Sequence, residues 1–311
     1  MSFQNRLSIT IPKDNEGFIG RECPTYDAYF KIKLGTGLTG TDLKVHCPYC
    51  GYEGEQSDFN TRDQLEYAKS IAINEFQKSL GGMLRNWGKD LERSTRGGFI
   101  QFNVEYKENP QPIQYYREKK LETRTMCSNC TLEYSIFGLF AFCPDCGIHN
   151  SIQIFNQNME LATKEISISI EYNDEEFRNR LVEDALQSVV SAFDGFGRVL
   201  CLAVKEKAKY PEKIEKISFQ NIQKAQSELL DQFDCDLSTS LSVIEWVFVT
   251  ICFQKRHLLV HKLGVVDDEY LHRTNDKTIS KGKRIKISMD EALKFINLVQ
   301  KIGNDISVKL K

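Results

Sequence analysis

Two closely spaced cysteine pairs constrain the fold of this 311-residue chain more than any other feature. Two residues separate Cys127 from Cys130 and two separate Cys143 from Cys146, and the segment 131–142 between the pairs has strand propensity. Each pair can form a tight turn that presents two thiolates, and a hairpin between the turns brings all four to one tetrahedral Zn²⁺ ion at about 2.3 Å. The spacing predicts a structural zinc site, because four cysteines leave no coordination position open.

This arrangement is typical of a zinc ribbon, and a second, less complete set of cysteines precedes it. Cys47 and Cys50 are separated by Pro and Tyr and followed by Gly, which is the form of a zinc knuckle, but Cys23 is the only cysteine before them. Asp27 or His46 could complete the ligand shell of a second zinc ion. Alternatively, this ribbon keeps its fold by hydrophobic packing without a metal.

The ten cysteines bear on the compartment, because disulfides are rare in a reducing cytosol and paired cysteines there indicate metal ligation. No apolar run reaches the length of a membrane span, and the N-terminus lacks the apolar stretch of a secretory signal. We therefore expect a cytoplasmic protein without a membrane partner. The net charge of -2 argues against a generic electrostatic binder, so any contact with nucleic acid must come from local patches.

The sequence predicts an α+β protein of two domains, of which the first, residues 1–172, is a β-rich zinc-ribbon domain with one long helix. Ribbon 1 spans about residues 20–55, the helix residues 61–93, and ribbon 2 about residues 120–155. Asn60 or Thr61 can cap the helix, and Gly81 with Gly82 is expected to kink or divide it. Alternating apolar residues predict strands at 3–11, 30–34, 99–106, 152–155 and 166–172.

The second predicted domain, residues 173–311, is an all-α bundle. Apolar residues at helical spacing predict four helices, at about residues 177–207, 219–233, 240–261 and 289–306. In the third helix, the apolar residues expected to face the core are Ile244, Val247, Phe248, Ile251 and Cys252. Gly264 is expected to end that helix.

Three cationic or titratable side chains lie near the end of the third helix. These are Arg256, His257 and His261, and they are expected to converge on one patch. Acidic residues of the first helix, Glu183 and Asp184, could hold the arginine. Without a substrate role, the cluster would be only a polar contact across a helical dimer.

The third helix resembles a known motif, because Arg256 is followed by a polar residue, three apolar residues and His261. This pattern is similar to the Arg-(four to six residues)-His motif of HEPN domains, and residues 264–267 resemble the helix exit of that family. The resemblance implies a four-helix fold and a metal-independent endoribonuclease whose composite site forms where the third helices of two copies pack side by side. It therefore implies RNA and a second copy of this chain as partners.

The resemblance also implies roles for individual residues. Arg256 would bind the scissile phosphate, His261 would act as general acid and base, and His257 would orient the substrate or His261. The expected products are a 2',3'-cyclic phosphate and a 5'-hydroxyl. Such nucleases occur as toxins or antiviral-defence effectors, so a regulatory protein or antitoxin is a further expected partner.

A lysine-rich loop follows the motif and contains Lys281, Lys283, Arg284 and Lys286. It is either a solvated hairpin or a surface that contacts RNA phosphates. A function of another class also fits the sequence, namely a non-catalytic zinc-ribbon protein that binds nucleic acid or protein and whose bundle only dimerises. Cleavage of RNA distinguishes the two.

Overall fold

The computed structural model describes residues 7–38, 44–96, 107 and 110–310, and the chain divides into two compact units, Met1–Ile148 and His149–Lys311. The first unit contains a small antiparallel sheet and one long helix, and the second is helical, so the α+β class is confirmed. The division falls earlier than the predicted boundary after residue 172, because a helix that was not predicted belongs to the second unit.

The sheet of the first unit has the strand order β1-β2-β6-β5, and β3 pairs with β4 separately. The strands are β1 Phe18–Glu22, β2 Tyr29–Lys33, β3 Val45–His46, β4 Glu53–Gly54, β5 Thr123–Met126 and β6 Glu133–Ile136. Predicted strand 30–34 corresponds to β2. Residues 7–11 form no strand, whereas residues 3–6 and the predicted strand 99–106 lie outside the described residues.

Each of the two hairpins in this sheet carries cysteines in its turn. The β1-β2 turn contains Cys23, and the β5-β6 turn contains Cys127 and Cys130. The hairpins join through antiparallel pairing of β2 with β6, in which Ile32 lies opposite Tyr134. The predicted hairpin between the two cysteine pairs is therefore wrong. Strand β6 pairs with β5 and β2 instead, because pairing there buries its apolar side chains in the core around the cysteines.

The long helix, α1, spans Arg62–Thr95 and confirms the prediction for residues 61–93. Thr61 caps it, because the Thr61 hydroxyl accepts the Gln64 backbone N–H while the Gln64 side chain accepts the Thr61 N–H. The helix continues through Gly81 and Gly82, so the expected division there is wrong. A glycine pair lowers helix propensity but does not by itself break the hydrogen-bond ladder.

The second unit contains six helices among its described residues, 149–310. They are α2 Ser151–Ser169, α3 Glu175–Ala203, α4 Ile222–Phe233, α5 Val243–Lys262, α6 Asp268–Thr274 and α7 Met289–Lys309. The four predicted helices correspond to α3, α4, α5 and α7. Their first residues follow the side-chain caps Asp174, Asn221, Ser242 and Ser288.

Helix α2 replaces the strands predicted at 152–155 and 166–172. Its buried residues Phe155, Met159, Ala162 and Ile166 recur at helical spacing and pack against α3 and α7. The Phe155 ring stacks on Phe196 with centroids 4.6 Å apart. Burial of this face outweighs the local strand propensity of the isoleucine-rich segments, so the prediction was wrong.

Helix α3 is the core helix of the second unit. Among the described residues it alone is long and apolar enough to cross a membrane, but 56% of its most apolar window is buried inside the protein. Val189, Phe193 and Leu200 belong to the main hydrophobic core. The apolar character of α3 is explained by that core.

Helix α5 packs on the core through a face that matches the predicted one only in part. Cys252 is buried and Phe248 packs against the core, as predicted, but Ile244 and Val247 are exposed. Val249 and Phe253 are buried in the core instead. Apolar residues occur on all sides of the first half of α5, so their spacing cannot identify the buried face. The helix ends at Lys262, and Leu263 and Gly264 both adopt left-handed conformations, which places the end where it was predicted.

Candidate functional site

The cysteines of the predicted second ribbon lie together and can hold one metal ion. The Sγ atoms of Cys127, Cys130, Cys143 and Cys146 all lie within 4.8 Å of one another. The Cys127–Cys146 and Cys130–Cys143 separations are 3.6 Å and 3.5 Å. Zn–S bonds of about 2.3 Å in a tetrahedron require S–S edges of roughly 3.8 Å. The donor set therefore fits a structural zinc ion with four thiolates.

The backbone of each pair forms the same tight turn. The Cys127 N–H donates to Leu132 O, and the Thr131 N–H donates to Cys127 O. The second pair repeats these bonds, from Cys143 to Ile148 O and from Gly147 to Cys143 O. Thr131 and Gly147 both adopt left-handed conformations, with φ of 64° and 68°. This turn points both thiols of a pair to the same side.

The environment of these thiols favours a cation. Burial raises the pKa of Cys130 to about 12 and also raises the pKa of Cys143. Four thiols in so small a volume cannot all ionise without a positive charge between them. Metal binding must therefore release protons and weaken as the pH falls.

The first cluster contains three cysteines, Cys23, Cys47 and Cys50, with Sγ atoms within 4.8 Å of one another. Cys23 and Cys50 are 3.7 Å apart. Neither predicted additional ligand, Asp27 or His46, belongs to this group among the described residues. The first cluster is thus positioned to bind a metal with three protein ligands.

The positions of Asp27 and His46 have physical causes. Asp27 occupies the left-handed position of the turn at φ 51°, and its N–H donates to Cys23 O. The His46 Nε2 lies 3.8 Å from a Glu53 carboxylate oxygen, and its ring packs against Gly147. Their prediction as ligands was wrong, because sequence distance alone does not give the direction of a side chain in a turn.

Two of the three predicted α5 site residues lie together. The rings of His257 and His261 have centroids 4.7 Å apart, and both side chains are exposed at the end of α5. Partial burial, followed by the neighbouring His261, lowers the pKa of His257 below its ordinary value. His257 is therefore neutral near pH 7 and able to accept a proton.

The Arg256 side chain forms no bond to either histidine in the part of the chain that the structure describes. It makes no hydrogen bond or ion pair within the described residues, and its buried Nε has no partner. Burial lowers the pKa of Arg256, and the negative charge of Asp194 on α3 opposes that shift. The expected convergence holds for the two histidines only.

The acids expected to hold Arg256 have other partners. Both carboxylate oxygens of Glu183 accept from Arg284, at 3.1 Å and 2.9 Å. Asp184 pairs with Arg180 on its own helix. That prediction was wrong, because Asp194, about three helical turns further along α3, is the acid whose charge acts on Arg256.

The lysine-rich loop lies beside the end of α5. The Val266 N–H donates to Lys283 O, and the Ile285 N–H donates to Gly264 O, each at 2.9 Å. Lys281 pairs with Asp268, and Arg284 pairs with Glu183. Lys283 and Lys286 are exposed and form no ion pair within the part of the chain that the structure describes. These two lysines are available to a phosphate.

Exposed apolar side chains lie next to the histidines. Val260 and Val265 are each 41% exposed, and Leu263 is 82% exposed in a left-handed conformation with φ 53°. A leucine in this conformation costs about 1 kcal/mol or more relative to glycine. A leucine at this position is unusual, because its left-handed backbone is strained and burial of its side chain does not compensate for that strain.

Two informative residues were not singled out from the sequence. Asp194 could have been recognised from the sequence, since it is an acid between the apolar residues Phe193 and Phe196 of a core helix. Tyr26 could also have been recognised, because it stands three residues after Cys23, where the other three knuckles have their second cysteine.

No protein-family model, no curated protein and no solved structure matches the chain.

Proposed function

We propose that the protein is a metal-independent endoribonuclease whose helical unit cleaves RNA through attack of a ribose 2'-OH. The products would be a 2',3'-cyclic phosphate and a 5'-hydroxyl. The observation that carries the proposal is the exposed His257–His261 pair at the end of α5, with the pKa of His257 below its ordinary value. Cleavage of this kind needs one group to take a proton from the 2'-OH and another to protonate the leaving 5'-oxygen.

The histidines and the loop would divide the chemistry between them. Neutral His257 would accept the 2'-OH proton, and His261 would exchange the proton of the 5'-oxygen. Lys283 and Lys286, which lie beside the end of α5 and have no ion-pair partner among the described residues, would hold the flanking phosphates. No step in this scheme requires a metal, so the cysteine clusters would serve structure or recognition.

Arg256 would act on the scissile phosphate in a dimer. Its guanidinium makes no hydrogen bond to either histidine of its own chain, so a second copy would bring the arginine and histidines of the paired α5 ends together. The exposed Val260, Leu263 and Val265 around the histidines supply an apolar seam for that pairing. In this proposal the protein is a cytoplasmic toxin or antiviral effector, and a regulatory protein or antitoxin restrains it.

The test compares RNA cleavage by the wild type, His261→Ala and Arg256→Ala in EDTA, with His272→Ala as a matched control. His272 is an exposed histidine on α6 and should be dispensable. We expect cleavage in EDTA, a loss of about a hundredfold or more in the first two variants, and no change in the control. An RNA with a 2'-deoxy group at the cleaved position should resist.

Cleavage that persists in both variants, or that is absent from all proteins on varied RNAs, would refute the catalytic proposal. The alternative is a non-catalytic zinc-ribbon dimer that binds nucleic acid or protein. The absence of a hydrogen bond or ion pair from Arg256 to either histidine among the described residues favours this alternative. RNA binding without cleavage would support it.

A further inference from the structure

The three-cysteine cluster contains a turn that matches the three complete knuckles of the chain. In all four turns the residue four positions after the first cysteine has a left-handed conformation and donates its N–H to the carbonyl of that cysteine, at 2.9 Å. These residues are Asp27, Gly51, Thr131 and Gly147. The turn at Cys23 is therefore a knuckle in its backbone.

The residue three positions after the first cysteine differs in this turn. In the complete knuckles it is Cys50, Cys130 or Cys146, each of which directs its thiol to its cluster. In the turn at Cys23 it is Tyr26, whose side chain is 68% exposed. The phenol oxygen of tyrosine lies much farther from the backbone than a cysteine Sγ, so Tyr26 cannot take the place of that thiol without moving the turn.

The missing ligand position faces solvent. Cys23 and Cys47, the first cysteines of their knuckles, are fully buried, whereas Cys50, the second of its knuckle, is exposed. Tyr26 holds the position equivalent to Cys50 and is exposed too. A ligand that replaced the absent thiol would therefore approach from the solvent side, next to Cys50.

We infer that a Zn²⁺ ion bound by Cys23, Cys47 and Cys50 keeps an open fourth position that takes an exchangeable small thiol, with water bound when no thiol is present. Three thiolates select a soft, tetrahedral ion, and a site with three protein ligands leaves one position for an external one. In the complete cluster the equivalent position is filled by a cysteine sulfur, so the geometry of the open position suits a sulfur ligand. This site is independent of the proposed ribonuclease chemistry.

Cobalt substitution tests the inference directly. The full chain is loaded with Co²⁺ and titrated with 2-mercaptoethanol while the thiolate-to-cobalt absorption is recorded. In the wild type we expect two metal ions per chain and a saturable rise in that absorption. The complete cluster has no open position, so its contribution stays constant.

Two substitutions at one position sharpen the experiment. Tyr26→Cys supplies the fourth thiolate, so it should abolish the response and slow loss of zinc to a chelator by about tenfold or more. Tyr26→Ser removes the phenol without supplying a ligand, so it should respond as the wild type does. The inference is overturned if the wild type holds a single metal ion, if its spectrum ignores the thiol, or if Tyr26→Cys responds like the wild type.

Discussion

Asp194 is a buried carboxylate of α3 that accepts hydrogen bonds from the segment just before α4. Its Oδ1 accepts the Phe219 N–H at 2.6 Å and the Arg198 Nε at 3.1 Å, and its Oδ2 accepts from Gln220. Burial would raise the pKa of Asp194, but these hydrogen bonds and the Arg198 charge outweigh it, so the pKa lies below its ordinary value. The ionised form therefore stabilises the fold.

Replacing Asp194 with asparagine should lower the free energy of unfolding by about 2 kcal/mol near neutral pH, because hydrogen bonds to a charged group are lost. The stabilisation is fully present above the ordinary pKa of 3.8 and is lost as the pH falls through the lower folded pKa. The difference between wild type and Asp194→Asn should thus shrink below pH 3.8. Urea unfolding at several pH values measures it.

Asp184→Asn is the matched control, since Asp184 lies on the same helix in a surface pair with Arg180. It should change the free energy of unfolding by less than about 1 kcal/mol. Equal effects of the two substitutions would show that the Asp194 network does not stabilise the fold.

For individual residues, the sequence identified the unusual side chains more reliably than it predicted which side chains they contact. His257 and His261 are four apart and lie together, as expected on a helix. Arg256 and His261 are five apart, which places them about 140° apart around a helix, so they point to different sides. The effect of the Asp194 charge on Arg256 could not be predicted from sequence, because it depends on how α3 and α5 pack.

Elements with strong caps and a regular apolar stripe were predictable, and α2 was not. Its segments Ile152–Phe155 and Ile166–Ile170 alternate like strands, although Phe155, Met159, Ala162 and Ile166 also fit a helix. The segment forms a helix because the surfaces of α3 and α7 bury the apolar residues that recur at helical spacing. The pairing of β2 with β6 is likewise set by contacts between distant segments, which no local pattern encodes.

Two glycines of α3 test how closely this helix packs. A Cβ on Gly197 would lie 2.5 Å from the buried Phe219 ring, whereas a Cβ on Gly195 would meet no atom within 4 Å. Gly197→Ala should therefore lower the free energy of unfolding by about 1–3 kcal/mol through overpacking. Gly195→Ala should raise it by about 0.5–1 kcal/mol, because alanine restricts the unfolded chain and favours helix.

Denaturant unfolding of the two variants measures both effects. They lie two residues apart on one helix, so each serves as the control for the other. Stabilisation by both alanines would show that Phe219 does not pack against α3 in the way the structure describes.

At the scale of the whole molecule, each of the two units has its own core, and the two cores differ in composition. The helical unit has a continuous core of apolar side chains from five of its helices, α2 to α5 and α7. The N-terminal unit has a smaller core in which cysteines of both clusters are themselves core residues. Metal removal should therefore affect the N-terminal unit first, because its core includes the ligands.

The proposed ribonuclease site requires two copies of the chain, and Leu263 is the residue that tests this. A two-fold dimer buries Leu263 twice, and each burial contributes about 1.5 kcal/mol, so Leu263→Asp should weaken dimerisation about a hundredfold or more. The side chain is 82% exposed within one chain, so the substitution should leave the helical content unchanged. Light scattering over a dilution series, with RNA cleavage on the same samples, measures both consequences.

Val243→Asp is the matched control, because Val243 is 81% exposed but lies at the opposite end of α5. We expect it to keep the mass and the cleavage activity of the wild type. Dissociation by Val243→Asp instead of Leu263→Asp would place the seam at the wrong end of α5, about 21–27 Å from the histidines. A wild type that is monomeric at every concentration would exclude the paired site, since that site is formed by two copies of α5.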